Sequence, residues 1–154
     1  MEPAAARAIA HAGHAQQRDR HGRLLTEHVE RVATMVPPEA RAVAFLHDVL
    51  EWTPTSYERL RAEGLSEVEA EALELLTRTG GESYELYALR IAHAPGPAGR
   101  IARAVKVADL DDHLDSAGAL RPGAPPYAWA RRHIALSQER RHEIPQVRAA
   151  YAEG

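Results

Sequence analysis

The chain contains no cysteine. That absence excludes a disulfide framework, a thiolate zinc site and a cysteine nucleophile, so any metal has to be held by His, Asp or Glu. Aromatic residues are scarce at 5%, with a single phenylalanine, and β-branched residues are thinly spread, which leaves little from which to build strands. There is no long hydrophobic run either. The longest apolar stretch, around Ala40 to Leu50, is interrupted by Arg41, His47 and Asp48 and falls far short of the roughly 20 residues that cross a bilayer. No membrane association is expected. Nor does charge of one sign prevail: 19 Lys and Arg against 22 Asp and Glu leave a net charge of −3 and a pI near 6.3. No nucleic-acid partner is expected from such a balance, because nucleic-acid binders present a basic face. The start, Met1-Glu2-Pro3-Ala4, lacks the basic residues and apolar stretch of a secretory signal, so a cytoplasmic location is expected.

What is present points to helices. At 154 residues the chain has the size of one domain with its own core, and 45% apolar with 27% charged residues suits a folded, soluble protein. Alanine, leucine, glutamate and arginine dominate, and prolines and glycines fall between stretches of helical length. The expected class is all-α, a single compact bundle of about seven helices. Helices are expected over 3–17 and 25–35, then over 38–52 after the stop at Pro37-Pro38, whose second proline suits a first turn. Between the first two lies a polar loop, Asp19-Arg20-His21-Gly22-Arg23, expected to be flexible and basic. Further helices are expected over 56–62, over 66–78 from a Ser66/Glu69 capping box, and over 83–93 and 98–115. A loop over 118–126 then leads to a last helix from 126 that Pro145 kinks or ends.

Helix 38–52 carries the first chemical signal. Ala42-Val43-Ala44-Phe45-Leu46-His47-Asp48-Val49-Leu50-Glu51 is nearly apolar all round and hence a core segment. Buried unpaired carboxylates are costly, so Asp48 and Glu51 need cations, donors or a metal beside them. His47 and Glu51 lie one turn apart on one helical face, with Asp48 rotated by about 100°. His28 sits in an amphipathic helix beside Val29, Val32 and Met35. Asp109 lies next to the apolar face made by Ile101, Val105, Ala108 and Leu110. Lys106 is the only lysine, against eighteen arginines, and four of the six aspartates, Asp109, Asp111, Asp112 and Asp115, follow it directly. Two nitrogen and two oxygen donors thus sit on three core-facing helices. A set of that kind suits Mn²⁺, Fe²⁺, Co²⁺ or Zn²⁺ with positions left for water and substrate. The bland alternative is a buried polar network with no ion.

The ordered series His28, His47-Asp48, Asp109 resembles the H…HD…D signature of the HD superfamily of metal-dependent phosphohydrolases. The likeness extends through His14-Ala15-Gln16-Gln17-Arg18, Ala44 to Thr53, Leu76-Thr77-Arg78, Gly81-Glu82-Ser83-Tyr84 with Tyr87, and Val105-Lys106-Val107-Ala108-Asp109. Over about residues 5–115 the chain is similar to the guanosine-tetraphosphate hydrolase domains of Rel/Spo enzymes and their small stand-alone relatives. The segment 126–151 would pack on that domain or extend it. This resemblance implies an all-helical domain in which His28, His47, Asp48 and Asp109 hold one divalent ion, Mn²⁺ first. It implies that Glu51 orients or deprotonates the attacking water and that Lys106 meets a substrate phosphate. The arginine that packs against the base corresponds to Arg18, with Arg20 as the alternative. The implied activity is hydrolysis of a small phosphorylated substrate, a nucleotide, with a 3′-pyrophosphohydrolase acting on guanosine tetra- or pentaphosphate as the leading case. A homodimer is left open.

Two positions depart from the family pattern. Trp52 follows Glu51 where these hydrolases carry aspartate, and His113 stands where they carry a sugar-contacting asparagine. His113 can still hydrogen-bond a substrate hydroxyl or phosphate, with a pH dependence of its own. Trp52 reads either as a plug at a helix end or as a stacking platform for a base. The rival function is therefore a degenerate HD domain that binds metal or nucleotide for regulation without hydrolysis. His11 and His14 read as an ordinary exposed pair with no acidic partner nearby. Arg131, Arg132, Arg140 and Arg141 read as a solvated or subunit-contact stripe, and no Gly-rich phosphate loop or serine triad is evident.

Overall fold

Proline and serine set most of the helix starts. The computed structural model describes residues 1–19, 22–116 and 126–152. Helix α1 (Pro3–His14) begins with proline in its first turn and buries Ala6, Ala10 and His14 along one four-residue stripe. It stops three residues short of the expected end because Gln17 and Arg18 turn back on the chain. Leu25 N–H donates to the Gln17 carbonyl at 3.0 Å, and Arg18 bridges to Leu24, the only bridge among the described residues. The expected flexible loop is closed at its described ends: Asp19 accepts from the Arg23 backbone at 3.0 Å and from its guanidinium at 2.6 and 2.9 Å. Arg20 and His21 lie outside the described residues.

Helix α2 (Leu25–Thr34) buries His28, Val29, Val32 and Ala33. A 3₁₀ turn over Pro38–Ala40 leads into α3 (Arg41–Leu46), of which Ala42 through Leu46 are all buried. The expected single helix over 38–52 is interrupted at His47-Asp48 and resumes as α4 (Val49–Trp52). Helix α5 (Tyr57–Ala62) is capped by Ser56, and α6 (Glu67–Leu76) by the complete Ser66/Glu69 capping box. Ser66 Oγ accepts from the Glu69 backbone at 3.3 Å while Glu69 Oε2 accepts from the Ser66 backbone at 2.8 Å. Ser83 caps α7 (Tyr84–His93).

Helix α8 (Gly96–Ser116) starts two residues earlier than expected, since Pro97 lies in its first turn instead of ending a break. A Cβ on Gly99 would stand 2.2 Å from the Ala94 carbonyl oxygen, so that turn packs backbone against backbone. Arg103, buried, donates to the same oxygen at 2.5 Å. Helix α9 (Tyr127–Ala152) runs through Pro145, which was expected to kink or end it. The expected loop over 118–126 lies outside the described residues except for Pro126.

The class is all-α, as the composition indicates. Helix α3 packs against α1, α2, α6 and α8, and α9 lies on α7 and α8. One continuous core results, with Leu46, Leu60, Leu73, Ile91, Leu110 and Ile134 fully buried. Each such side chain stabilises the fold by roughly 1.5–3 kcal/mol. Among the described residues no helix is long and apolar enough to cross a membrane. The packing brings α2, the α3–α4 break and the middle of α8 to one place.

Candidate metal centre

The break in the third helix is built by His47 itself. Its Nδ1 donates to the Ala44 carbonyl at 2.7 Å, the acceptor that the residue-48 N–H would use in an unbroken helix. That bond fixes the proton on Nδ1 and leaves the Nε2 lone pair facing the cluster. His28, on α2, is set in the same way. Its Nδ1 donates to Asp112 Oδ2 at 2.8 Å, and Asp112 is clamped by Arg31 at 2.5 and 3.1 Å. Carboxylate and carbonyl partners of this kind orient metal-ligating histidines. The two Nε2 atoms lie 3.3 Å apart. Two lone pairs at that distance repel unless a cation or a proton stands between them.

Both aspartates converge on the same point. Asp109 Oδ1 is 3.3 Å from His28 Nε2 and 3.8 Å from His47 Nε2, and Asp48 Oδ2 is 3.9 and 3.5 Å from them. Donors about 2.1 Å from one ion are separated by about 3.0 Å in an octahedral cis pair and about 3.4 Å in a tetrahedron. The observed edges lie at or slightly above those values, so the donor set fits a divalent ion with small contraction. His28, His47 and Asp48 form one three-donor group, and His28, Asp109 and His113 form a second. The helix break corrects the expectation that His47 and Glu51 share one continuous helical face.

Charge is balanced closely around Asp109. Burial opposes its ionisation, but Lys106, 2.7 Å from Oδ2, together with His113, His28 and His47, holds its carboxyl well below the usual range. Lys106 is itself buried and kept charged by Asp109, and it lies 5.0 Å from the Tyr87 ring and 5.7 Å from that of Tyr84. The sole lysine is therefore placed on Asp109 rather than at the mouth of the cleft. Burial also opposes protonation of His47, yet Asp48 and Asp109 push its pKa up to about 9 in the ion-free cluster.

A cleft of about 660 Å³ opens on this cluster, and Arg18, His28, Asp48, Trp52, His113 and Tyr127 are among its walls. Of the residues singled out as substrate contacts, Arg18 and His113 line it, whereas Lys106 does not. His113 Nδ1 donates to the Asp109 carbonyl at 2.8 Å and lies 2.9 Å from Asp109 Oδ1, which places it beside the ligands. Glu51 is exposed and makes no hydrogen bond or ion pair among the described residues. The packing around its carboxyl and the adjacent Asp48 charge raise its pKa, against the pull of Arg78, Lys106 and His47.

Asp112 and Arg31 were missed as functional residues. The available signal was spacing, since each lies three residues beyond a candidate ligand, Asp109 and His28, and so shares its helical face. The reading of His11 and His14 as an exposed pair is overturned. His14 is fully buried on the α3-facing side of α1, and His11 meets Glu30 of α2 at 2.7 Å. Arg131 is tied to Asp111 of α8 at 2.6 Å, and the Arg141 side chain lies outside the described residues. Comparison with protein-family models finds no match, and comparison with curated proteins finds none either.

Proposed function

We propose that this chain is a metal-dependent phosphohydrolase of the HD type, acting on a small nucleotide or related phosphoester. Guanosine tetra- and pentaphosphate are the first substrates to test. The observation that supports it most is the convergence of His28, His47, Asp48 and Asp109, with both imidazoles held in the tautomer that offers Nε2 inward. Those four residues would hold the ion, Mn²⁺ in the first instance, with Fe²⁺, Co²⁺ or Zn²⁺ suited to the same donors. Such an ion, when bound, supplies Lewis acidity to a phosphoryl oxygen and lowers the pKa of a bound water.

The remaining steps belong to the chain. Glu51, exposed beside Asp48 with a raised pKa, takes the proton from the attacking water, a role that a basicity nearer neutrality favours. Arg18, which pairs with no carboxylate among the described residues, offers its guanidinium to the substrate phosphate. Lys106 keeps Asp109 ionised from behind, and His113 stands where a substrate hydroxyl or phosphate would meet it. A second reading, a binding module without turnover, is favoured by two observations. Trp52 occupies the position after Glu51 where a second acid would stand, and Lys106 is committed to Asp109.

Elemental analysis of tag-free protein by inductively coupled plasma mass spectrometry, with a turnover assay on a nucleotide panel, separates the two. About one Mn, Fe, Co or Zn per chain, lost in Asp109→Ala together with phosphate or pyrophosphate release, is the expected result. An ion with no turnover selects the binding module. No ion in either protein, after incubation with Mn²⁺, overturns the phosphohydrolase, and the absence of nucleotide binding as well overturns the module.

A further inference from the structure

Trp52 is 57% exposed, an unfavourable position for the largest apolar side chain unless something covers it. The other tryptophan, Trp129, packs on the His133 ring at 4.3 Å. Trp52 has no ring contact among the described residues, yet it forms a wall of the cleft that also exposes His28, Asp48 and His113. Its backbone is held in place. The Trp52 N–H donates to the Asp48 carbonyl at 3.0 Å, and its own carbonyl accepts from Gln17 Nε2 at 2.6 Å. The Gln17 amide is oriented in turn by His14, whose Nδ1 donates to Gln17 Oε1 at 2.8 Å from a fully buried ring. This is the ring's one hydrogen bond among the described residues, since His14 Nε2 has no partner among them. Beside Trp52 stands Arg18, whose guanidinium donates to the Gly22 carbonyl at 2.7 Å and pairs with no carboxylate among the described residues.

One cleft therefore presents an exposed, anchored indole, a guanidinium that pairs with no described carboxylate and a His/Asp cluster suited to a cation that binds phosphate. We propose that Trp52 is the specificity-determining residue of this cleft. It stacks on a planar aromatic ring, so that the ligands selected are phosphoesters carrying a nucleobase over those carrying sugar alone. Gln17, through the Trp52 carbonyl, is its positioning residue, with His14 behind it. This inference rests on the phosphohydrolase reading but adds what that reading lacks, a reason for one phosphoester to be preferred over another. A base lying on one tryptophan gains stacking energy whatever its identity, so the preference is for a base as such and not for guanine.

The test is binding of guanosine 5′-monophosphate and adenosine 5′-monophosphate against ribose 5-phosphate, in Mn²⁺-supplemented full-length protein. Binding is read by calorimetry and by the emission of Trp52 in a Trp129→Phe background. Both nucleotides are expected to quench Trp52 and to bind at least about tenfold more tightly than ribose 5-phosphate. Trp52→Ala should remove that ratio while leaving ribose 5-phosphate affinity and metal content unchanged, and Trp52→Phe should keep most of it. Gln17→Ala should reduce the ratio by a smaller factor. Equal binding of all three ligands, no binding of any, or a ratio untouched by Trp52→Ala overturns the proposal. Metal content measured on the same samples keeps the two failures apart: an ion with no base preference sinks this inference alone, whereas no ion sinks the phosphohydrolase reading.

Discussion

The two sides of the cleft are built on opposite plans. In the buried cluster His28, His47, Asp109 and Asp112 are each fixed by a partner: Asp112 for His28, the Ala44 carbonyl for His47, Lys106 and His113 for Asp109, Arg31 for Asp112. On the open side Arg18 and Trp52 are exposed, as is Glu51 next to Trp52 in the chain, and among the described residues their only hydrogen bond from a side chain is that of Arg18 to Gly22. A group whose orientation is set before the ligand arrives loses little freedom on binding, which suits a small ion with strict distance requirements. Groups left free suit a larger ligand that enters and leaves. Retention of an ion and choice of substrate are therefore separable by mutation.

The largest separation is expected at Glu51. On the proposed function Glu51→Gln keeps the shape and removes the proposed base, so turnover should fall by roughly 10²–10⁴-fold with metal content unchanged, as read by steady-state kinetics and elemental analysis. A parallel loss of metal would move Glu51 into the ligand set and break the contrast. Asp112→Asn should act in the opposite sense. It frees the His28 ring and weakens metal affinity by roughly 10–100-fold, measured by competition with a chelator, while the nucleotide preference set at Trp52 stays the same.

The smallest effect is a matter of pH. In the ion-free protein His47 is raised from 6.5 to about 9. A histidine whose folded pKa exceeds its unfolded one adds stability that is complete below the unfolded value and lost as pH climbs through the folded one. The ion-free protein should thus lose a few degrees of Tm between pH 6.5 and 9, a window given by the same two values. With Mn²⁺ present the slope should reverse, because ligands bind deprotonated. Thermal melts with and without a chelator read both slopes, and identical slopes would remove the ion from the cluster.

Features written in local sequence were legible. The all-α class, the Ser66/Glu69 capping box and the start at Pro37-Pro38 each depend on residues a few positions apart, and each stands as expected. His28, His47, Asp48 and Asp109 were picked out because ionisable groups in apolar helical stretches need an explanation wherever the helices go, and the fold brings their side chains to one cluster. The break at His47-Asp48 was not legible. It follows from a side-chain bond to Ala44, which competes with the helix ladder without any proline or glycine to announce it. His14 was misread because the buried stripe it completes consists otherwise of Ala6 and Ala10, and alanine marks a packed face no differently from an exposed one. The commitment of Lys106 to Asp109 could be suspected from the i,i+3 spacing. Only the two tyrosines of α7 show why the pair stays buried.

Helix α8 carries Lys106, Asp109, Asp112 and His113 within eight residues. These four cannot come apart one at a time. Unwinding any turn there breaks the lysine pair, the place of Asp109 in the cluster and the support of His28 together, so their amides should open as a single cooperative unit in hydrogen exchange. Occupancy of the site would then be felt along two full turns of backbone, and the exchange rate of that segment would double as the gauge of whether the site is filled.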